Sequence, residues 1–103
     1  MSGPGTGEQW WLATLGRTIV WARLRVRDAG TAEIFDSDGN TLAYDSEDTA
    51  RAALMDAEFI AFDGLDAEDA EARGFSIDEV QPPVADTDEA LRPKMFQPLA
   101  APR

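Results

Sequence analysis

The 103-residue chain contains no cysteine and no histidine. Without cysteine there are no disulfides, no thiolate nucleophile and no cysteine-ligated zinc. Without histidine there is no Ser-His-Asp triad and no imidazole general base, and the commonest transition-metal ligand is missing. No recognisable catalytic constellation survives these absences, so no enzymatic activity and no cofactor are expected. No apolar run approaches the ~20 residues that span a bilayer as a helix. The opening Met1-Ser2-Gly3-Pro4-Gly5-Thr6-Gly7 has neither a basic n-region nor an apolar h-region. A secretory signal is therefore not expected, and a cytoplasmic location is the default expectation. Positive charge is also scarce. Nine Lys and Arg stand against twenty Asp and Glu, a net charge of −11 with a pI near 4.1. Such a surface repels nucleic-acid phosphate and anionic membrane, favours solubility and attracts a basic protein.

The charge is unevenly placed. Residues 1–27 carry four arginines (Arg17, Arg23, Arg25, Arg27) and one acid, Glu8, a net of +3. Residues 28–103 carry five basic and nineteen acidic side chains, a net of −14. A small basic stripe thus sits on a strongly acidic body.

With 44% hydrophobic and 28% charged residues, the length and composition are those of one domain with a modest core. Trp10, Trp11, Trp21, Phe35, Phe59 and Phe62 are the core candidates. The organisation expected is a disordered N-terminus over 1–8, a single α+β domain over 9–80, and a Pro-rich extended tail over 81–103. That tail has Leu91, Met95, Phe96 and Leu99 available for docking.

Trp10 to Leu15 reads as a short first strand, followed by a turn at Gly16-Arg17. From Thr18 to Arg27, Val20, Ala22, Leu24 and Val26 alternate with Trp21, Arg23, Arg25 and Arg27, the period of a strand. Asp28-Ala29-Gly30 reads as a three-residue loop, because that length opposes Leu24 to Ile34, Arg25 to Glu33 and Val26 to Ala32. The next strand runs from Thr31 to Asp36. Asp38-Gly39 then predicts a type I′ hairpin, with Thr41 to Asp45 as the returning strand. Ser46 (or Asp45) can N-cap a helix with Glu47 and Asp48 in its first turn, and Ala50, Ala53, Leu54 and Ala57 repeat at helical spacing. Phe59, Ile60 and Phe62 read as a continuation of this helix toward Gly64. A second short helix is expected over Asp66 to Arg73, with Asp66 as N-cap and Gly74 just past its end. The fold class is α+β: an antiparallel β-meander of three or four strands packed by one main helix on the Val20/Leu24/Val26/Ile34 face. The second short helix and a Pro-rich C-terminal tail follow.

Four groups of residues are candidate sites. Trp21, Arg23, Arg25 and Arg27 share one strand face, where arginine alternating with an aromatic suits a phosphate or a stacked base. A solvated face whose arginines pair with Glu33 and other nearby acids explains the same pattern. Asp36, Asp38, Asn40 and Glu47 match positions 1, 3, 5 and 12 of an EF-hand calcium loop. The sixth position, however, is Thr41 rather than Gly and the flanks read as strands. The acidic run from Asp45 to Glu79 includes Asp56, Glu58, Asp63, Asp66, Glu68, Asp69 and Glu71, and is either a docking surface for a basic protein or a solubilising face. Among the aromatics, Trp10, Trp11, Trp21, Phe35 and Tyr44, two adjacent tryptophans on a strand point to opposite faces. Both are buried only if both faces of the sheet are covered.

The stretch from Gly30 to Phe59, with its strand, its hairpin and the FDS…YDSEDTARAAL…AEF run into a helix, resembles small sheet-plus-helix modules such as the WGR domain. The Trp-Gly-Arg signature of that family is absent, Leu15-Gly16-Arg17 standing nearest to it, and the resemblance implies no site residue.

The expected function is a protein–protein interaction module, an accessory protein or inhibitor acting on a basic partner. Nucleic-acid or phosphate-ligand binding by the arginine face and Ca²⁺ binding at Asp36 to Asn40 are the alternatives.

Overall fold

A computed structural model describes residues 4–99. Six strands form one antiparallel sheet: β1 (Pro4–Leu15), β2 (Thr18–Val26), β3 (Ala32–Phe35), β4 (Thr41–Tyr44), β5 (Ile60–Ala61) and β6 (Phe96–Pro98). Three helices accompany them: α1 (Glu47–Asp56), α2 (Ala67–Ala72) and α3 (Asp88–Leu91). The strand order is β4-β3-β2-β1-β5, and β6 lies beside the first residues of β2. The α+β class and the antiparallel meander are as read from the sequence. β5 and β6 enlarge the sheet beyond the three or four strands expected.

The hairpins follow from local chemistry. The register between β2 and β3 is the one the apolar pattern requires: Leu24 opposes Ile34, Arg25 opposes Glu33 and Val26 opposes Ala32. The Asp28-Ala29-Gly30 loop closes with Arg27 N–H donating to Thr31 C=O at 2.7 Å and Gly30 N–H to Arg27 C=O at 2.9 Å, Gly30 having φ 88°. The loop between β3 and β4 repeats this plan. Asp36 N–H donates to Asn40 C=O, Gly39 N–H donates to Asp36 C=O, and Gly39 has φ 89°. Asp38 does not have positive φ. The expected type I′ turn is therefore replaced by a three-residue loop that ends in a left-handed glycine. The Asp36 carboxylate holds that loop by accepting from the N–H groups of Asp38 and Asn40, both at 3.0 Å.

Helix α1 starts as expected, with Ser46 Oγ accepting from Thr49 N–H at 3.1 Å. Its end corrects the sequence reading, in which Phe59, Ile60 and Phe62 extended the helix. Phe59 N–H donates to Leu54 C=O and Glu58 N–H to Met55 C=O, the two hydrogen bonds of a Schellman cap. Glu58 takes the left-handed position at φ 69°, where glycine is usual, so no glycine marks the stop. The chain reverses, and Ile60 and Ala61 pair with Leu12 and Trp11 as β5. Helix α2 uses the same cap with the expected glycine. Gly74 has φ 94°, and Phe75 N–H donates to Ala70 C=O. Asp66 caps its start, accepting from Asp69 N–H at 2.8 Å.

Both faces of the sheet are covered. On one, Ala50 and Leu54 of α1 pack on Trp11, Ala22, Leu24, Ala32 and Ile34. On the other, Leu12, Ile19, Trp21 and Phe35 are covered by Ala70, Phe75, Val80, Leu91 and Met95. This second layer takes up Leu91 and Met95, two of the docking candidates of the tail, in a segment that is helical there rather than extended. Leu91 and Met95 are buried, β6 pairs with β2, and Leu99 N–H donates to Arg17 C=O at 2.7 Å. The tail turns helical because Thr87 caps α3, its Oγ1 accepting from Ala90 N–H. That cap places Leu91 and Met95 one turn apart, facing the sheet. Part of the N-terminus expected to be disordered is strand. β1 begins at Pro4, and residues 1–3 and 100–103 lie outside those described.

Candidate interaction surfaces

The arginine face forms on β2 as the alternation dictates, but its members meet different surroundings. Trp21 is fully buried, edge-on to Trp10 at 6.0 Å and to Phe62 at 5.3 Å between ring centroids. No base can stack on it. Arg23 is only 7% exposed. Its Nη1 lies 3.1 Å from Asp88 Oδ1 on α3, and its guanidinium stands 5.0 Å over the Phe35 ring. Arg25 Nε donates to Glu8 Oε2 at 2.9 Å. Arg27 Nη2 donates to Glu33 Oε1, diagonally across the β2–β3 ladder. The three arginines line a cleft of about 270 Å³ together with Glu33 and Asp88. Each therefore has a carboxylate partner, which opposes the extra negative charge of a phosphate ligand.

The acidic candidates are placed differently. Asp56 and Glu58 stand at the end of α1, Asp63 follows β5, and Asp66, Glu68 and Asp69 lie at the start of α2; all six are exposed. Among the described residues no basic side chain forms an ion pair with any of them. From Asp45 to Glu79 there are twelve carboxylates and two arginines, a net of −10. Arg51, one of those two, pairs with Glu47 at 3.4 Å and stacks 5.5 Å from the centre of a Trp11 ring.

The calcium reading is not supported by the geometry. Asp36 turns its carboxylate into the hairpin loop, and Glu47 on α1 accepts from Gln9 Nε2 at 2.7 Å. Among the described residues no three acidic side chains gather as a metal-holding group. Tyr44 is half-buried against the α1-side core rather than displayed. Trp10 and Trp11 point to opposite faces, as strand geometry requires. Trp11 is buried under α1 and Trp10 is half-buried on the other face.

Two partners of the arginine face escaped the sequence reading, Glu8 and Asp88. The signal for Asp88 was present in Thr87-Asp88-Glu89-Ala90, an N-cap followed by two first-turn acids, with Leu91 and Met95 four apart behind it. The prolines at Pro82, Pro83 and Pro93 masked it by suggesting an extended segment.

No protein-family model matches the chain, and no curated protein or solved structure matches it either.

Proposed function

We propose that the protein is a binding module whose acidic margin, from the end of α1 through β5 to α2, docks a basic region of another protein. One contrast supports this reading: the arginines of β2 are engaged by carboxylates within the fold, whereas Asp56, Glu58, Asp63, Glu68 and Asp69 have no cationic partner among the described residues. Uncompensated charge of one sign steers an oppositely charged partner and speeds encounter. In this reading the protein works by association and performs no turnover. The paired arginines and the buried Trp21 weigh against the phosphate-ligand alternative.

The experiment is a comparative capture from the native host at ~50 mM salt, where screening is weak. The baits are the wild type and the triple variant Asp63→Asn, Glu68→Gln, Asp69→Asn. A basic protein held by the wild type, released as salt rises and not held by the variant supports the reading. Equal retention by both baits, or no basic protein on either, rejects it.

A further inference from the structure

The sheet ends on β4, and among the described residues no strand lies beyond it. The hydrogen-bond phase of this edge follows from the loop before it. Asp36 N–H donates to Asn40 C=O at 3.0 Å, and bonded and non-bonded pairs alternate along an antiparallel ladder. Ile34–Leu42 and Ala32–Tyr44 are thus bonded pairs, whereas Phe35–Thr41 and Glu33–Ala43 are not. The N–H and C=O groups of Thr41 and Ala43 therefore point outward, away from β3. Thr41, Leu42 and Ala43 are exposed, Leu42 by 48%. The strand carries none of the lysines, prolines or bulges that usually blunt an edge.

The charge around this edge selects what can join it. Asp36, Asp38, Asp45, Glu47 and Asp48 are the only charged residues between positions 36 and 48. The cations around it are engaged: Arg51 is held by Glu47, the Arg92 guanidinium packs against Gly39, and Arg23, Arg25 and Arg27, which share a cleft with Thr41, are paired with Asp88, Glu8 and Glu33. A second copy adding antiparallel to β4 would set each Asp45 beside the Asp38-Gly39-Asn40 loop of the other, like charge against like. The opposite margin of the sheet, β5, is two residues long and offers too short a ladder.

We infer that β4 receives an extended, lysine- or arginine-containing segment of a partner protein as an added strand. Main-chain bonds to Thr41 and Ala43 supply the ladder, and Asp38 and Asp45 at its two ends receive the basic side chains. This deepens the basic-partner reading and rests on it, since it names the form in which the basic segment binds.

The test uses the full chain and a nine-residue peptide of alternating lysine and valine. The control peptide has equal charge but proline in place of valine, which removes the N–H groups a ladder needs. Amide hydrogen exchange is followed residue by residue. The lysine–valine peptide should slow exchange at Thr41 and Ala43 by about tenfold or more, and the proline peptide should not. Ala43→Pro removes an outward N–H and leaves the β3–β4 ladder intact, so it should weaken binding by about tenfold or more. If that variant does not fold, Ala43→Lys should weaken binding by repulsion instead. If the peptide binds with Thr41 and Ala43 unprotected, and only the Asp63/Glu68/Asp69 variant loses it, strand addition is overturned and the acidic margin stands. If neither peptide binds at ~50 mM salt, strand addition is overturned, and the capture experiment decides the acidic-margin reading by itself. Protection of Thr41 and Ala43 that grows with protein concentration alone would make a second copy the occupant and overturn the inference.

Discussion

Replacing Asp88 by alanine should destabilise the protein far more than any other single change to its ion pairs. Arg23 is 7% exposed and Asp88 is its ion-pair partner. The Arg23 Nε has no hydrogen-bond partner, so the Asp88 carboxylate carries most of the compensation for a buried charge. Removing one partner of a fully buried pair costs ~3–5 kcal/mol, whereas an exposed pair is worth ~0–1 kcal/mol. The Asp88 side chain is 54% exposed, so water reaches the pair from one side and the loss falls between these limits, at about 2 kcal/mol. For a domain of this size that lowers Tm by roughly 10 °C. The assay is urea unfolding followed by tryptophan fluorescence, comparing midpoints at constant slope. Glu8→Ala is the control, because it breaks the half-exposed Arg25–Glu8 pair and should cost under ~1 kcal/mol. High salt should erase the Glu8 effect and leave most of the Asp88 effect. In an Arg23→Met background, Asp88→Ala should become nearly neutral, since no buried charge remains to be orphaned. Equal losses from Asp88→Ala and Glu8→Ala would refute the premise that burial of Arg23 sets the strength of the pair.

Other expectations follow from the same structure. Glu58→Gly should stabilise the protein by about 0.5–1 kcal/mol, because it relieves a left-handed side chain at φ 69° and this outweighs the added freedom of the unfolded chain; a drop in Tm would contradict it. Met95→Ala should cost ~2–4 kcal/mol in denaturant midpoint, since Met95 is fully buried against the sheet; an unchanged midpoint would mean that the tail is not part of the core. Partner binding should weaken as salt is raised from ~50 to ~500 mM, with the loss mainly in association rate; a salt-independent rate measured by stopped flow would exclude charge steering.

Legibility of the fold followed the range of the forces involved. The β2–β3 register was readable because a slip of one residue would have set Val26 against Glu33, and pattern alone forbids it. The caps at Ser46 and Asp66 were readable because each side-chain oxygen meets an N–H three residues away. The end of α1 was not, because the helix stops on Glu58 rather than glycine, with the turn held by Phe59 folding back onto the core beside Leu54. The candidate sites divide in the same way. Alternation placed Arg23, Arg25 and Arg27 on one face, yet whether that face was free depended on Glu8 and Asp88, the latter sixty-five residues from Arg23.

The amino-acid sequence by itself determined the α+β class, the central meander, the helix starts and the acidic character of the surface. These depend on composition, on periods of two and 3.6 residues, and on contacts within a few positions. Only the tertiary structure decided that the tail forms part of the second covering layer, that Trp21 serves the core rather than the arginine face, and that the β2 arginines are already paired. It also decided which strand is left open at the edge. Each of these turns on long-range burial. A proline-rich segment and a solvated one look alike in sequence until a sheet face with Ile19, Trp21 and Phe35 needs covering.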